Sequence, residues 1–192
     1  MTHGERIGLF EVKIACMTEK HQVEFEQILR EYLPGSEPET VREKAENYSE
    51  TCLVALKDEK VIGIAFGWPR EAALPRKEYC LDGIAVRYEY WGKGVGGQLL
   101  EAFEEGMRKY GYRILSVGSA EGLAEKFYLK HGFVPQSFKV YSDGQIMVRK
   151  VFHSLDDYLC YKRSEEGFVV FEKDIRLYED DFFEIEYREE TI

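Results

Sequence analysis

The 192-residue chain contains no run of about 18 apolar residues, so no membrane-spanning helix is expected. Its first residues, Met1 to Lys13, lack the charged-then-apolar layout of a secretory signal. Together the two absences point to the cytoplasm and to no membrane partner. Cysteine is sparse and scattered: Cys16, Cys52, Cys80 and Cys160 form no CxxC pair and have no histidine cluster beside them. That pattern argues against a zinc site and a disulfide framework, and it predicts free thiols and no metal. Positive charge is also short. Lys and Arg total 26 against 36 Asp and Glu, a net charge of −10. Nucleic acid is therefore a poor partner, because phosphate contacts need Lys and Arg. Internal repeats and low-complexity segments are lacking as well.

What is present describes a globular protein. The composition is 44% hydrophobic and 14% aromatic, enough to bury a core. The acidity is uneven: Ser154–Ile192 holds 13 Asp and Glu against 5 Lys and Arg, a net of −8, which leaves −2 for the rest. This step divides the chain into a domain over residues 1–153 and an acidic, aromatic-rich extension over 154–192. Within the extension, Leu155–Lys162 reads as a short helix or strand. Gly167–Glu172 and Phe182–Tyr187 alternate apolar and charged residues, as half-buried strands do. Such an arm either folds back on the domain or pairs with a second subunit as a homodimer contact.

Periodicity places the other elements. Glu5–Met17 reads as a strand, and Thr18 as the cap of a helix carrying Val23, Phe25, Ile28, Leu29, Tyr32 and Leu33. A second helix opens at Pro38 and runs to about Tyr48. Thr51–Leu56 and Lys60–Trp68 form a hairpin, and Glu78–Val86 is a strand. Val95–Tyr110 is a helix ended by Gly111. Arg113–Val117 is a strand, Ala120–Lys130 a helix, and Phe133–Tyr141 with Gln145–Phe152 a last hairpin. The order β-α-α-β-β-β-α-β-α-β-β predicts an α/β (α+β) fold, a mixed sheet with helices on its faces.

The informative stretch joins the Leu81-Asp82-Gly83-Ile84-Ala85-Val86 strand to Trp91-Gly92-Lys93-Gly94-Val95-Gly96-Gly97. Four glycines fall within six residues between a strand and a strong helix. Glycine permits positive φ and close ligand approach. Successive amides of such a turn, with the first unpaired amides of the helix, form an anion site. Lys93 adds diffuse positive charge. The ligand is not that of a P-loop, since no Lys-Ser or Lys-Thr pair follows. The dinucleotide fingerprint GxGxxG is met by letter only, without its βαβ context or acidic ribose partner.

The strand ending in Ala85-Val86, followed by Trp91-Gly92-Lys93-Gly94-Val95-Gly96, resembles motif A of the GNAT superfamily of N-acetyltransferases. Ala124-Glu125-Lys126-Phe127-Tyr128-Leu129-Lys130-His131-Gly132-Phe133 resembles its motif B, a helix bearing a Tyr and closed by Gly-Phe. The resemblance covers residues 5–152. Two departures stand out: Trp91 replaces the usual Arg or Gln, and Glu121 stands where many relatives carry an Asn that touches the cofactor arm.

The resemblance implies a GNAT-like, mostly antiparallel central sheet flanked by helices. It also implies direct transfer of an acetyl group from acetyl-CoA to a primary amine of a small molecule, peptide or protein. Cofactor contacts would fall to Ile84, Ala85, Val86, Trp91, Gly92, Lys93, Gly94, Val95, Gly96, Gly97 and Tyr128, with no metal. One amide among Ile84–Val86 would polarise the thioester carbonyl. Tyr128 is the candidate acid, since a phenol stays protonated at neutral pH and can donate to a thiolate. Asp82 is the candidate base, being an unusual carboxylate in mid-strand; a water chain is the alternative. Strand alternation places Cys80, Asp82, Ile84 and Val86 on one face. Cys80 has no histidine nearby in sequence to activate it as a nucleophile. His131 reads as a helix-end residue, and Trp68, Arg70 and Tyr79 as lining of the acceptor site. The acidic balance favours a cationic acceptor such as a polyamine or aminoglycoside. The competing reading is a CoA-binding regulatory module without efficient transfer.

Overall fold

The computed structural model describes residues 10–70, 78–119 and 122–175. Its elements follow the predicted order: β1 (Lys13–Cys16), α1 (Gln22–Tyr32), α2 (Pro38–Asn47), β2 (Cys52–Lys57), β3 (Lys60–Pro69), β4 (Glu78–Val86), α3 (Val95–Lys109), β5 (Ile114–Ser119), α4 (Gly122–Lys130), β6 (Val134–Ser142), β7 (Gln145–Val151), α5 (Leu155–Cys160) and β8 (Phe168–Asp174). Thr18 precedes a short 3₁₀ turn, Glu19–His21, rather than α1 itself, and its N–H donates to His21 Nδ1 at 3.2 Å. No helix among the described residues is long and apolar enough to cross a membrane.

Alternation along β2 decides which helices cover which face. Leu53 and Ala55 join Leu99, Leu100, Phe103 and Met107 of α3 in one buried cluster. Cys52, Val54 and Leu56 join Phe25, Ile28 and Leu29 of α1 in the other. Helices α1 and α2 thus lie on one side, and α3 and α4 on the opposite side. The buried stripe on α3 recurs at helical spacing. Its C-terminal end closes where Gly111 adopts φ +78° and the Tyr112 N–H returns to the Met107 carbonyl at 3.2 Å.

The eight strands form one sheet in the order β1-β2-β3-β4-β5-β8-β6-β7. All neighbours are antiparallel except β4 and β5, which run parallel and touch at only three residue pairs, Glu78↔Ile114, Tyr79↔Leu115 and Cys80↔Ser116. Beyond that point the two strands part, so the β5-side edge of β4 from Leu81 to Val86 pairs with no described strand. Strand β8 comes from the acidic extension, yet it lies inside the sheet, paired with β5 on one side and β6 on the other. Its Val169 and Phe171 are fully buried. Phe182–Tyr187, the other predicted strand of the extension, falls outside the described residues. The four cysteines are free thiols.

Candidate functional site

The site is the wedge between β4 and β5, and a β-bulge shapes its β4 wall. The β3–β4 register moves from Phe66↔Gly83 to Gly67↔Leu81, leaving Asp82 as the extra residue. At the bulge the backbones approach so closely that a Cβ on Gly67 would lie 2.0 Å from the Cys80 carbonyl oxygen, which only glycine avoids. The bulge also breaks the alternation. Tyr79 and Leu81 lie in the α3-side cluster, and so do Ile84 and Val86. Gly83 instead abuts Phe66 and Leu33 on the α1 side. The expectation that Cys80, Asp82, Ile84 and Val86 share a face is therefore corrected: the extra residue returns Ile84 and Val86 to the opposite face.

At the β3 end beside the bulge, one Arg70 nitrogen lies 3.2 Å from Cys80 Sγ and 3.3 Å from Asp82 Oδ1. Asp82 Oδ2 is buried with no hydrogen-bond partner. Burial pushes the Asp82 carboxyl above its usual range, against the charge of Arg70, the hydrogen bond of the Cys80 thiol and the charge of Lys44. Cys80 is buried as well, and desolvation pushes its thiol up to about 11. It is a neutral thiol at pH 7, which agrees with its exclusion as a nucleophile. Trp68 is partly buried and stacks on Phe66 at 5.9 Å. Tyr79, expected beside the acceptor, is a core residue instead. It is fully buried, its hydroxyl lies 2.7 Å from Thr51 Oγ1, and its ring is edge-on to Phe103 and Tyr112.

Tyr128 comes to the wedge from α4. It is 6% exposed, packed against Phe127, Phe133 and Phe171. Burial and the nearby Cys80 push its phenol well above the ordinary value. Its hydroxyl has no hydrogen-bond partner among the described residues. Ser119 Oγ, at the end of β5, is a second buried polar atom without a partner. Buried polar atoms are normally satisfied. The two orphans in the described residues, on Asp82 and Ser119, belong to the two strands that part, so the wedge suits a polar ligand threaded between them.

At the mouth, Gly92 and Gly94 take φ of +73° and +82°, and Gly94 caps α3. A Cβ is strained in that region of φ, so the turn needs glycine at both positions. The amides of Gly92, Lys93 and Gly94 donate to no backbone carbonyl of the described residues, and the first amides of α3 have no intrahelical acceptor. The turn and helix end therefore present a cluster of donors to an anion. Gly96 and Gly97 do different work: added Cβ atoms would lie 3.3 Å from the Phe127 ring and 3.0 Å from His131 Nε2, so these glycines let α4 dock on α3. His131 Nδ1 donates to the Phe127 carbonyl at 2.8 Å, the helix-end role expected of it. Trp91 does not stand in for an arginine. Its indole N–H donates to the Val86 carbonyl at 2.6 Å and ties the turn to the strand end. The Lys93 ammonium sits 5.1 Å from the ring centroids of Phe10 and Tyr90, beside the turn. Glu121 falls outside the described residues.

A cavity of about 390 Å³ lies elsewhere, between α4 and the segment after α5, lined by Gly122, Glu125, Tyr158, Leu159, Tyr161 and Arg163. Sequence reading did not single it out. Its buried carboxylate, Glu125, is already engaged, by the Tyr158 hydroxyl at 2.6 Å and by Arg163. No group of three or more His, Cys, Asp or Glu able to hold a metal occurs among the described residues.

The sequence profile of the acetyltransferase (GNAT) family matches residues 17–133. No curated protein sequence matches. Among solved structures, Ard1 from Thermoplasma volcanium superposes with a TM-score of 0.66 at 18% identity, covering 86% of this chain and 99% of that one. The ribosomal-protein-S18-alanine N-acetyltransferase from Escherichia coli gives 0.59 at 17% identity, with coverage of 87% and 96%. A GNAT family acetyltransferase from Elizabethkingia anophelis with acetyl-CoA bound gives 0.54 at 16% identity, with coverage of 85% and 97%. At these identities the likeness is one of fold.

Proposed function

The chain belongs to the acetyltransferase (GNAT) family, and from that premise we propose that it transfers an acetyl group from acetyl-CoA directly to a primary amine of a small molecule, peptide or protein. Acetyl-CoA is the family's acyl donor and supplies an activated thioester. The observation that carries the reading is the coincidence of an anion-binding turn, an unpaired β4 edge and a buried tyrosine around one wedge.

Each residue has a task in this reading. The free amides at Gly92–Gly94 and the start of α3 hold the pyrophosphate. The open edge of Ile84–Val86 pairs with the amide-bearing arm as a further strand would, and one of its N–H groups polarises the thioester carbonyl. Asp82 takes the proton that the ammonium acceptor must lose, and its unpaired Oδ2 offers the lone pairs for it. Tyr128 keeps its proton throughout the neutral range and gives it to the departing thiolate.

Neighbours support an amino-group acceptor without identifying it here: one is a ribosomal-protein-alanine N-acetyltransferase from Brucella melitensis, another a NatC complex bound to Gag peptide and CoA. The test is thiol release from acetyl-CoA against a panel of polyamines, aminoglycosides and peptides with free N-termini or lysines, with the acetylated product identified by mass. Release that tracks one class of amine supports the proposal. Release equal with and without every amine refutes it.

A further inference from the structure

A mid-sheet carboxylate that must shed and regain a proton needs something to hold its orientation, and one side chain is placed to do so. We propose that Arg70 is the positioning residue for Asp82, anchoring Oδ1 so that Oδ2 alone remains open to the N–H of the acceptor. The inference rests on Asp82 being the base.

Geometry carries the assignment. Arg70 follows the last residue of β3, and its own N–H donates to the Glu78 carbonyl at 3.3 Å, which extends the β3–β4 ladder by one bond and fixes where the side chain starts. From there a single guanidinium nitrogen reaches Cys80 Sγ at 3.2 Å and Asp82 Oδ1 at 3.3 Å. The bulge supplies this convergence, because it sets the extra residue Asp82 on the side that Cys80 already faces. Only one carboxylate oxygen is used, and the other is buried and unpaired. Arg70 is itself half exposed, at 55%, against 20% for Asp82, so the pair is open on the arginine side. The groups facing Asp82 are Arg70 from the end of β3, Cys80 on β4 and Lys44 on α2, while Glu78 acts on Arg70. Arg70, the Cys80 thiol and Lys44 oppose the burial that would neutralise the carboxylate, and Arg70 is the cation in contact. An incoming ammonium would meet an oriented acceptor oxygen.

The test uses full-length protein labelled with carbon-13 at aspartate carboxyls. The Asp82 signal is assigned by its loss in Asp82→Asn and titrated by NMR, which needs no acceptor. In Arg70→Gln the Asp82 midpoint is expected to rise by about one pH unit, discounted for the exposure of the arginine. Arg70→Lys, which keeps the charge but loses the fork, restores part of that rise. A midpoint unmoved in Arg70→Gln overturns the proposal. Where spermidine or an alanyl peptide serves as acceptor probe, the acidic limb of kcat/KM moves upward with the NMR midpoint. Faster turnover in Arg70→Gln would show that Arg70 blocks the site rather than ordering it. Failure of the underlying reading looks different: Asp82→Asn would keep wild-type turnover while the NMR shift persisted.

Discussion

Burial raises the pKa of both Asp82 and Tyr128. The Tyr128 hydroxyl bonds to none of the described residues, so Tyr128→Phe should leave the melting temperature near that of the wild type while kcat falls by about 10²-fold. A thermal scan paired with steady-state kinetics checks both halves. Asp82 gives a pH-dependent counterpart. Its folded pKa is raised, so the fold carries no cost for it at low pH and loses stability as pH rises through the folded value. Asp82→Asn removes that loss. At pH 8 the variant should be at least as stable as the wild type yet slower, and it should lose the acidic limb of kcat/KM. The placement of Tyr128 on a helix was legible in the sequence because its neighbours form a local pattern. The partnership of Asp82 with Arg70 was not, since it depends on a bulge and on two strands meeting. Tyr79 misled for the same reason: whether it faces solvent or α3 is decided by packing against Phe103 and Tyr112.

Between β4 and α3, the strand-turn-helix geometry followed from the sequence, because glycine spacing reports backbone conformation directly. Its four glycines nevertheless divide into two uses that sequence could not separate. Gly94→Ala places a Cβ at φ +82° and should cost about 1–2 kcal/mol, with a weaker Kd for acetyl-CoA by calorimetry. Trp91→Arg tests whether backbone amides dominate. The indole spans the turn without needing the anion, so affinity for acetyl-CoA should stay within about threefold, as expected when an exposed charge adds under 1 kcal/mol. The helices expected at Val95–Tyr110 and Ala120–Lys130 are found at Val95–Lys109 and, within the described residues, Gly122–Lys130, because apolar periodicity and terminal glycines are local signals.

Over the whole molecule, the mixed sheet and its flanking helices followed from element order. The placement of β8 did not. Its alternating Phe168–Asp174 run announces a strand, but choosing β5 and β6 as partners requires contacts across 29 to 60 residues of chain, and composition pointed to a separate acidic arm. Truncation after Phe152 therefore removes the middle of the sheet. It strips β5 and β6 of a shared partner and deletes buried Val169 and Phe171. Each such side chain contributes roughly 1.5–3 kcal/mol, against a total stability of about 5–15 kcal/mol. The shortened chain should show no cooperative melting transition, whereas mere loss of a surface arm would leave the transition intact.

The account's central claim is that this wedge joins acetyl-CoA to an amine, with the chain's own groups moving the protons. Its most direct measurement is amine-dependent thiol release across the acceptor panel, compared between wild type, Tyr128→Phe and Asp82→Asn at matched, saturating acetyl-CoA. The expected result is release equal in moles to N-acetylated product in the wild type, with each variant binding acetyl-CoA normally and turning over at least tenfold more slowly. Tight acetyl-CoA binding with no amine-dependent release by the wild type, on any acceptor, would contradict it and leave a CoA-binding module in place of an enzyme.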